Sequence, residues 1–596
     1  MLPVILKRVT PSVYDDIISH YEETFNEKPT VEQQRAWEKL LDLLSTISPP
    51  HPIILEYPIF TERADVIFVD KDKALVVEAK GWKHVKKIGD NVVEADRDLH
   101  EDPCYQLNNY VNKLNLFHSS NIKFEGVLFL YNTVDYSSSE CKILRNVNEL
   151  KEELDKFPPG SLEDASKIVE GKLELKETFI QLVKKLKEEK LKDLSKALLS
   201  KGYGLTEDQM KVMNAVFEAL EKKEKANFLI RGASGSGKSL LAVTLYLEGL
   251  SRKYTTILAY KNNRLINTVR KALGGKLSSF IMFYSTGVKG LPGVGEDGFD
   301  DWFTKKFGNR NIDLVIFDEA QRMTEKVIKN SPKGKVNVYF YDDSQVLIGN
   351  EAGTRENFLK LLSNVREYEL PSPVREPKQY LDFVRKILEG VKGNPGNFDF
   401  RIFDDIVDML KELENIKNKG GKIALICSFT ESEGDAKEKT SWESIKNIRI
   451  GYPLQSGFDL YKGVKFKGEE LKIKWLMDEK TEYPRYWNGE LDPLKYCASV
   501  YGAQGFEADY VGVVWGRDLI WRNNGWTVNS DAITDYVGGR ESLKRIANKD
   551  EKKALALLKN RYYIMLTRGL RGVYVFFEDR ETSNTVKELI EKPSDD

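Results

Sequence analysis

A glycine-rich segment followed by a lysine and a serine is the first candidate site in the sequence. The letters GASGSGKS follow the pattern G-x-x-x-x-G-K-S of a phosphate-binding loop, or P-loop. Gly232, Gly235 and Gly237 would let backbone N–H groups converge on a polyphosphate at a helix N-terminus, where the helix dipole favours an anion. Lys238 would contact the β- and γ-phosphates, and Ser239 a Mg²⁺ ion. The spacing therefore predicts a nucleoside triphosphate site.

Two adjacent carboxylates further along the chain complete this chemistry. Asp318 and Glu319 directly follow an apolar run, DLVIF, which has the composition of a buried strand. Hydrolysis of a nucleoside triphosphate needs one carboxylate that holds Mg²⁺ through water and another that orients the attacking water. We expect Asp318 to take the first role and Glu319 the second.

A second pair of carboxylates lies near the N-terminus. A hairpin centred between Lys71 and Asp72 would place Asp65 directly opposite Glu78, and Lys80 would share the face of Glu78 because strand side chains alternate. Two like charges at that separation are destabilising on their own. A divalent cation between them would turn the repulsion into affinity, with Lys80 left to orient or activate the attacking water.

The elements that position this pair follow from sequence patterns. Apolar runs predict strands at 53–55, 66–69 and 74–77. A capping box at Thr30 to Gln33 predicts a helix through about Ser45. The dipeptide Asp102-Pro103 predicts the start of another helix, on which Gln106 and Tyr110 share one face.

Together these residues resemble a nuclease family. The arrangement Asp65…Glu78-Ala79-Lys80, with Q-x-x-x-Y on the following helix, resembles the PD-(D/E)XK nucleases, and RADVIFVDKDKALVVEAKGW is similar to their nuclease-related domain branch. The resemblance implies a Mg²⁺-dependent nuclease, with Mn²⁺ as an alternative ion, Asp65 and Glu78 as ligands, and Gln106 in the catalytic set. Glu32 is similar to the helix-one glutamate of the family, although a glutamate also suits the dipole of a first helical turn. The alternative for the whole arrangement is a β-hairpin with solvated charges.

Further motifs surround the P-loop in a fixed order. The segments are LTEDQ, YDDSQ, LPSPVR, ASVYGAQGFE and NRYYIMLTRG, and their candidate site residues are Gln209, Gln345, Arg375, Glu507 and Arg568. In this order they resemble the motifs of superfamily-1 helicases. The wording of DEAQR, YDDSQ, GAQGFEADYVGVVWG and YIMLTRGLRGVYVFFED is similar to the Schlafen-type bacterial helicase domain.

The resemblance implies a role for each of these residues in ATP hydrolysis. Gln345 would sense the γ-phosphate, Arg375 would contact a phosphate, and Arg568 would act as the arginine finger. Glu507 would belong to the same ATP site. ATP would then bind with Mg²⁺ between two RecA-like lobes, with Gln345 on the first lobe and the other three residues on the second.

Three observations bear on how far the resemblance extends. Gln209 would contact adenine, but a capping box with Thr206 also explains it. Glu376-Pro377 follows the fourth motif, where the family usually has a polar loop. Only about 40 residues separate Lys271 from Asp313, too few for the large inserted subdomain of DNA-unwinding helicases, which speaks against strong strand separation.

The predicted fold class is α/β: a PD-(D/E)XK domain followed by two RecA-like parallel lobes. We predict the nuclease-related domain at 1–150, a helical linker at 151–204, the first lobe at 205–370, and the second lobe at 371–596 with an insertion near 431–495. Aromatic residues in and after this insertion could form a base-stacking track or an ordinary core, which we favour: Trp475, Tyr483, Tyr486, Trp487, Trp515, Trp521 and Trp526.

Composition limits the choice of partner and compartment. The 91 basic and 92 acidic side chains give a net charge of −1 in 596 residues, so a nucleic-acid surface must be a local patch. The four cysteines are far apart, which argues against a zinc site and for a reducing compartment. The sequence has no signal peptide pattern and no apolar run of about 18 residues, which predicts a cytoplasmic protein without a membrane partner.

We therefore predict an ATP-dependent nuclease–helicase that acts on nucleic acid, with DNA favoured over RNA. Anti-phage defence or DNA processing is the role that such fusions suggest by analogy. A second copy of the chain or a defence-system protein remains open as a partner. Two alternatives stay open: an ATP-gated nuclease switch that does not translocate, and a Schlafen-like ribonuclease or RNA helicase.

Overall fold

The computed structural model describes most of the chain. The described residues are 4–6, 13–25, 28–89, 91–133, 135–171, 173, 199–200, 202–233, 236–261, 266, 270, 278–286, 289–371, 378–428, 463–471, 473–474, 477, 482–487, 489–503, 508–533 and 535–591. The chain divides into two compact units, Met1–Asp342 with Thr354–Val374, and Asp343–Gly353 with Arg375–Asp596. The first unit contains two main sheets and the second contains one.

The N-terminal sheet of the first unit is mixed. Its order is β1-β2-β3-β4-β8-β9, antiparallel from β1 to β4 and parallel from β4 to β9, and β5-β6-β7 form a separate antiparallel sheet. The strands are β1 (Val4–Leu6), β2 (Ile53–Ile59), β3 (Glu62–Val69), β4 (Lys73–Lys80), β5 (Val85–Lys87), β6 (Val92–Ala95), β7 (Asp98–Glu101), β8 (Lys123–Leu130) and β9 (Ile143–Leu144). The helices are α1 (Val13–Phe25), α2 (Val31–Ile47), α3 (Pro103–Phe117), α4 (Val147–Leu154) and α5 (Leu162–Glu170).

The predicted hairpin and helices of this region are confirmed. Strand β3 pairs with β4 through Val66 opposite Val77, the register that places Asp65 opposite Glu78. The capping box of Thr30 opens α2, and Asp102 caps α3 by accepting from two backbone N–H groups. Residues of alternate parity on β3 and β4 pack against opposite helices, because strand side chains alternate between faces. Glu78 continues the face of Ala74 and Val76, which packs against α3, whereas the alternation on β3 breaks at Asp65 because Ala64 and Val66 pack on opposite faces.

The second sheet of the first unit is entirely parallel. Its order is β12-β11-β13-β14-β10-β15. The strands are β10 (Ala226–Gly232), β11 (Thr256–Tyr260), β12 (Ile281–Phe283), β13 (Leu314–Phe317), β14 (Val336–Tyr341) and β15 (Val365–Leu370), and the helices are α6 (Glu207–Glu221), α7 (Lys238–Ser251), α8 (Phe299–Phe307), α9 (Glu325–Asn330) and α10 (Arg355–Leu361). The predicted strand before the P-loop, the helix after it and the next two motif strands are confirmed. Since β14 lies between β10 and β13, the ends of these strands are neighbours at one edge.

The second unit is built on another parallel sheet, with the order β16-β24-β21-β17-β20. Its strands are β16 (Asp399–Phe403), β17 (Ile423–Cys427), β18 (Lys465–Phe466), β19 (Glu469–Glu470), β20 (Ala498–Ser499), β21 (Ala508–Trp515), β22 (Leu519–Arg522), β23 (Gly525–Val528) and β24 (Gly569–Phe577). Its helices are α11 (Lys378–Glu389), α12 (Ile406–Asn418), α13 (Glu482–Trp487), α14 (Val500–Ala503), α15 (Leu543–Ala547), α16 (Glu551–Leu566) and α17 (Arg580–Leu589). The predicted α/β class with parallel sheets is confirmed.

The described aromatic residues of the second unit are mainly core residues. Tyr483 and Tyr486 are buried, and Trp515 stacks on Tyr562 with ring centroids 4.0 Å apart. The indole N–H of Trp526 donates to a backbone carbonyl of α11. For these residues the core interpretation is the one that burial and packing favour. Trp475 and the side chain of Trp487 lie outside the described residues, as does much of the predicted insertion and of the linker helix.

Two of the four cysteines are bonded to each other. Cys104 and Cys141 form a disulfide, with Cα atoms 5.4 Å apart, although 37 positions separate them in the chain. Helix α3 and the segment before β9 bring them together, which sequence distance alone does not reveal. The cysteines therefore give no argument for a reducing compartment, because disulfides persist in oxidising ones. Of the helices in the described ranges, none combines the length and apolar character needed to cross a membrane.

Candidate nucleotide and metal sites

The P-loop connects the end of β10 to the start of α7. Gly237 occupies the N-cap of α7 with φ +82°, a left-handed conformation that glycine adopts without strain. A Cβ atom at this position would lie 2.3 Å from Gln209 Nε2, and one at Gly232 would lie 2.4 Å from Ser236 Oγ. Gly237 is required by its backbone conformation, and at Gly232 the Ser236 hydroxyl would have to move to admit a side chain. Gly235 lies outside the described residues.

Lys238 folds back over the loop that precedes it. Its Nζ donates to the carbonyl oxygens of Gly232, at 2.5 Å, and Ala233, at 2.9 Å. The residue is buried. The ammonium group is thus held at the mouth of the loop, where phosphate oxygens would compete with these two carbonyls for its protons.

Ser239 and Asp318 are brought together by neighbouring elements. Ser239 Oγ donates to Asp318 Oδ2 over 3.0 Å, and Asp318 is fully buried directly after β13. Its backbone N–H donates to the carbonyl of Ala259 on β11, which extends the sheet by one residue. A hydroxyl and a carboxylate at this spacing are the pair of ligands that the sequence assigned to Mg²⁺.

Glu319 follows in an unusual backbone conformation. It has φ +54°, in the left-handed region that residues other than glycine rarely adopt. Its carbonyl accepts a hydrogen bond from the hydroxyl of Tyr284. Gln321 bridges it to the next strand: its Nε2 donates to Glu319 Oε2, at 2.5 Å, and its Oε1 accepts from the N–H of Asp342, at 3.3 Å. Such strain at a carboxylate is typical of a functional site. The sequence gave Gln321 no role, although the motif DEAQR contains it.

Gln209 forms the capping box that the sequence predicted and also contacts the P-loop. Its Oε1 accepts from the N–H of Thr206, at 3.0 Å, within a complete capping box at the start of α6. Its Nε2 also donates to the carbonyl of Ser236 in the P-loop, at 3.4 Å. The capping explanation is therefore correct as far as it goes, and the residue also lies beside the loop. Contact with adenine remains a prediction.

The remaining motif residues of the predicted ATP site belong to the second unit. Gln345 lies there in a buried 3₁₀ turn, Asp343–Gln345, although the sequence predicted it on the first lobe. Arg568 is buried, and its Nε donates to the carbonyl of Ile564 at 3.0 Å. Arg375 and Glu507 lie outside the described residues. The roles of all four remain predictions.

Arg561 is a buried residue of the sixth motif for which the sequence made no prediction. It is fully buried, forms an ion pair with Asp535, and donates to the hydroxyl of Tyr501 at 2.9 Å. Coulombic attraction to Asp535 holds this guanidinium within the core of the second unit, so it is a structural residue. Only its place on a buried helical face could have indicated this.

The carboxylate pair of the N-terminal sheet has the predicted neighbours. Lys80 Nζ lies 2.7 Å from Glu78 Oε1, and Asp65 Oδ2 accepts from the N–H of Ala79 at 2.9 Å. Glu78 Oε2 is buried and accepts no hydrogen bond from the residues that the structure describes. Gln106 and Tyr110 of α3 are both buried and joined by a 2.8 Å hydrogen bond.

Burial is the largest influence on the pKa values of the two carboxyl groups in this pair. Burial and the charge of Asp65 raise the pKa of Glu78 to about 8, even though Lys80 opposes the shift. Burial also raises the pKa of Asp65, with Lys80 and the Ala79 N–H acting against it. Burial alone would lower the pKa of Lys80, but the two carboxylates outweigh it and raise that pKa.

Glu56 is a third carboxylate that the sequence reasoning missed. It lies between Leu55, opposite Val66, and Tyr57, opposite Ala64, so it occupies the position across from Asp65. It accepts from the Trp37 indole at 2.8 Å, and burial raises its pKa to about 7. Counting outward from the tight hairpin between β2 and β3 would have placed it there.

These residues fit a divalent cation held by two carboxylates and water. The buried Glu78 oxygen without a partner and the raised pKa values of the pair are what a cation would relieve. Among the described residues, no three His, Cys, Asp or Glu side chains converge closely enough to form a metal-binding group. Glu32 is exposed in the first turn of α2, and its role as a ligand remains a prediction.

Comparison with known families identifies the larger part of the chain. The model of the Schlafen group 3 DNA/RNA helicase domain matches residues 225–579, which is more than half of the chain. The chain belongs to this family. The Schlafen-type resemblance of the motifs is thereby confirmed. The Schlafen group 3 match begins just before the P-loop, so the N-terminal sheet lies outside it.

Individual relatives are more distant. An uncharacterized protein of Saccharomyces cerevisiae is 25% identical over 431 residues, which cover 62% of this chain and 85% of the relative. Among solved structures, the Pif1 helicase from Candida albicans is 12% identical with a TM-score of 0.28, covering 64% of this chain and 96% of its own. The Pif1 helicase from Bacteroides, in complex with ADP-AlF3 and ssDNA, is 14% identical with a TM-score of 0.28, covering 65% and 95%. Similarity at these TM-scores carries no conclusion about this chain.

Proposed function

We propose that this chain is an ATP-driven enzyme of nucleic-acid processing that combines a P-loop motor with a Mg²⁺-dependent nuclease. The observation that supports the motor is the 3.0 Å hydrogen bond between Ser239 and Asp318 beside the P-loop lysine. The observation that supports the nuclease is the buried pair Asp65 and Glu78 with Lys80 at 2.7 Å from the latter. The family description, a DNA/RNA helicase domain, supports nucleic acid as the partner.

In the motor, the chain's own residues divide the work. The loop N–H groups and Lys238 hold the β- and γ-phosphates, and Ser239 with Asp318 holds Mg²⁺. Glu319 orients the attacking water, and Gln209 contacts the adenine. The motif resemblance assigns nucleotide sensing and charge stabilisation to four further residues: Gln345, Arg375, Glu507 and Arg568.

In the nuclease, Asp65 and Glu78 would hold the cation, with Glu32 as a further candidate ligand. The cation supplies Lewis acidity at a phosphodiester and a bound water of lowered pKa. Lys80 orients that water. Gln106 donates a hydrogen bond to the Tyr110 hydroxyl and so fixes the position of that ring beside the site. Strands β3 and β4 with α3 carry these side chains, as the resemblance to PD-(D/E)XK nucleases implies.

An ATPase assay with added single strands tests the motor and separates the alternatives. We expect single-stranded DNA to stimulate hydrolysis. Stimulation by RNA alone would replace DNA with RNA as the substrate, and stimulation by neither would leave an ATP-gated switch. A strand-displacement assay on tailed duplexes, with the Asp65→Ala protein so that cleavage does not interfere, then tests unwinding. A defence role would require that cells survive phage infection only when both the motor and the nuclease are active.

Cleavage by variants tests the nuclease. Asp65→Ala and Glu78→Ala should each abolish Mg²⁺- or Mn²⁺-dependent cleavage and leave ATP turnover near the wild-type rate, because the carboxylates lie on a different sheet from the P-loop. Glu125→Ala is the matched control, since this carboxylate lies on the adjacent strand β8 and pairs with exposed lysines. Retained cleavage in both single variants would exclude the hairpin as the active site.

A further inference from the structure

The first turn of α6 contacts the N-terminal sheet region. Glu207 Oε1 lies 3.3 Å from His100 Nδ1 on β7 and 2.8 Å from Lys211 Nζ on its own helix. Burial alone would raise the pKa of Glu207, but hydrogen bonding to His100 and Lys211 lowers it to about 2. Glu207 is therefore ionised at neutral pH, and the contact with His100 is charge-assisted whenever the imidazole carries its proton.

His100 connects this helix to the proposed nuclease site. Its ring packs on Trp82 with centroids 4.9 Å apart, and Lys80 Nζ lies 5.3 Å from the centroid of the Trp82 ring. Trp82 follows Lys80 by two residues at the end of β4. Three successive contacts thus join Glu207 to Lys80, and the ammonium group is held between the Trp82 face and Glu78.

The same helical turn is joined to the P-loop. Gln209, two residues after Glu207, is bonded to the cap residue Thr206 and to the carbonyl of Ser236. Ser236 lies in the loop whose carbonyls hold Lys238. Phosphate binding must rearrange those lysine contacts, so it acts on the loop that Gln209 touches.

A second set of bonds fixes the chain that enters α6. The N–H of Leu205 donates to the hydroxyl of Tyr105, at 3.1 Å, and Asn109 Nδ2 donates to the carbonyl of Leu205, at 3.3 Å. Tyr105 and Asn109 stand on α3, one position before Gln106 and Tyr110 respectively. A shift at the start of α6 therefore reaches α3 as well as His100.

We propose that Glu207 and His100 are positioning residues that transmit the nucleotide state of the P-loop to Lys80, so that ATP controls the nuclease site. This inference rests on the proposed nuclease function. The effect would pass through a series of contacts within the first unit. The series runs from the P-loop to Gln209 and the first turn of α6, and from there through His100 and Trp82 to Lys80. Glu207 is the link where it crosses from one sheet to the other.

Hydrogen exchange and cleavage, each measured with and without a non-hydrolysable ATP analogue, test the proposal on the full chain. In the wild type, the analogue should change both the amide exchange of residues 78–83 and the Mg²⁺-dependent cleavage rate. Glu207→Gln should retain analogue binding and reduce both responses at least about 5-fold, the lower range of typical allosteric couplings. His100→Phe keeps a ring against Trp82 but loses the Glu207 contact, and should show the same loss.

Asp208→Asn is the matched control. It removes one negative charge from the same helical turn, so it reproduces the dipole effect without removing the His100 partner, and its responses should stay near wild type. Thermal unfolding of each variant checks folding, and His100→Phe serves as the second test if Glu207→Gln does not fold.

The outcomes separate this inference from the proposed function. Unchanged nucleotide responses in both Glu207→Gln and His100→Phe would overturn the transmission, even if Asp65→Ala abolishes cleavage. A wild-type chain without any exchange response at 78–83 would overturn it as well. An exchange response that depends on Glu207, in a chain whose cleavage survives Asp65→Ala and Glu78→Ala, would support the transmission and overturn the nuclease.

Discussion

Ser239 and Asp318 share a 3.0 Å hydrogen bond although 79 positions separate them. The serine begins a helix after one strand, and the aspartate ends another strand of the same parallel sheet. Parallel strands present their carboxyl ends at one edge, so the pair forms wherever the two motifs fold on neighbouring parts of that edge. This contact brings together the two residues to which the sequence assigned Mg²⁺, one from each motif.

Lys238→Ala should lose ATP hydrolysis. The ammonium that faces the loop carbonyls is the charge that would face the β- and γ-phosphates. Steady-state ATPase is the measurement, and Lys222→Ala, an exposed lysine that follows the end of α6, is the control. Cleavage is then compared with and without ATP. If ATP changes the cleavage rate of the wild type and changes that of Lys238→Ala by the same factor, the effect of ATP on cleavage is not produced at this loop.

Arg568→Ala should bind a fluorescent ATP analogue within a few-fold of wild type while its turnover collapses. Ground-state ATP is held mainly by the P-loop and Mg²⁺, whereas a supplied arginine acts on transition-state charge and is worth about 10³–10⁵ in kcat in comparable enzymes. Arg568→Lys should rescue poorly because a point charge does not reproduce the planar fork. Arg375→Ala should behave similarly, and Arg571→Ala, three residues later on β24 and exposed, should have little effect. Normal turnover in Arg568→Ala would remove the motor proposal.

Gln321→Leu should lower kcat about 10- to 100-fold with nucleotide affinity retained, the range seen when outer-shell partners of metal sites are removed. The amide holds the Glu319 carboxylate against the end of β14. Asn337→Leu is the control, because it also removes a buried amide but at the opposite end of β14, where Asn337 bonds Asn227. Equal losses of kcat in the two variants would mean that lost stability, and not the position of Glu319, causes the effect.

Stability should fall as pH rises through the neutral range when divalent ions are chelated. Glu78 has a folded pKa of about 8 and Glu56 of about 7, both above the ordinary 4.5, so the folded state holds protons that the unfolded state has released. Their contribution is present below about pH 4.5 and is lost as pH rises to about 8.

The measurement is the Tm of Glu78→Gln minus that of wild type in EDTA, from pH 5.5 to 8.5, and we expect it to increase with pH. Glu125→Gln should give a flat difference, because hydrogen bonding to Lys123 lowers the pKa of Glu125 and the group is ionised throughout this range. A flat difference for Glu78→Gln would show that the carboxylate is not buried against Asp65 in solution.

Local patterns were sufficient for much of this fold. The register of the β3–β4 hairpin follows from the turn-like Asp70 to Lys73 and the apolar runs on each side, and the P-loop specifies its own strand and helix. Such features depend on residues close in the chain. The parallel strands β10, β13 and β14 were predictable because each is an apolar run followed directly by a motif of polar or glycine residues.

Contacts between distant segments were not predictable in the same way. Glu56 lies near the carboxylate pair because β2 pairs with β3, and the sequence reasoning considered only the pairing of β3 with β4. Cys104 meets Cys141 because α3 packs beside β8 and β9. The His100–Glu207 contact joins β7 to the first turn of α6, and the LTEDQ motif that contains Glu207 gives no sign of this partner. One-dimensional spacing contains no signal for the cysteine pair or for the His100–Glu207 pair, because both arise from how finished elements pack.

The bond between Cys104 and Cys141 means that a reductant can change the N-terminal sheet region without a mutation. Cys104 stands in the first turn of α3, two residues before Gln106, and Cys141 precedes β9. Adding a reductant would release that turn from its neighbour without altering a single residue of the P-loop. Parallel assays of cleavage and ATP turnover in oxidised and reduced samples would then show whether a change at this turn, whose Tyr105 bonds the chain that enters α6, also reaches the P-loop.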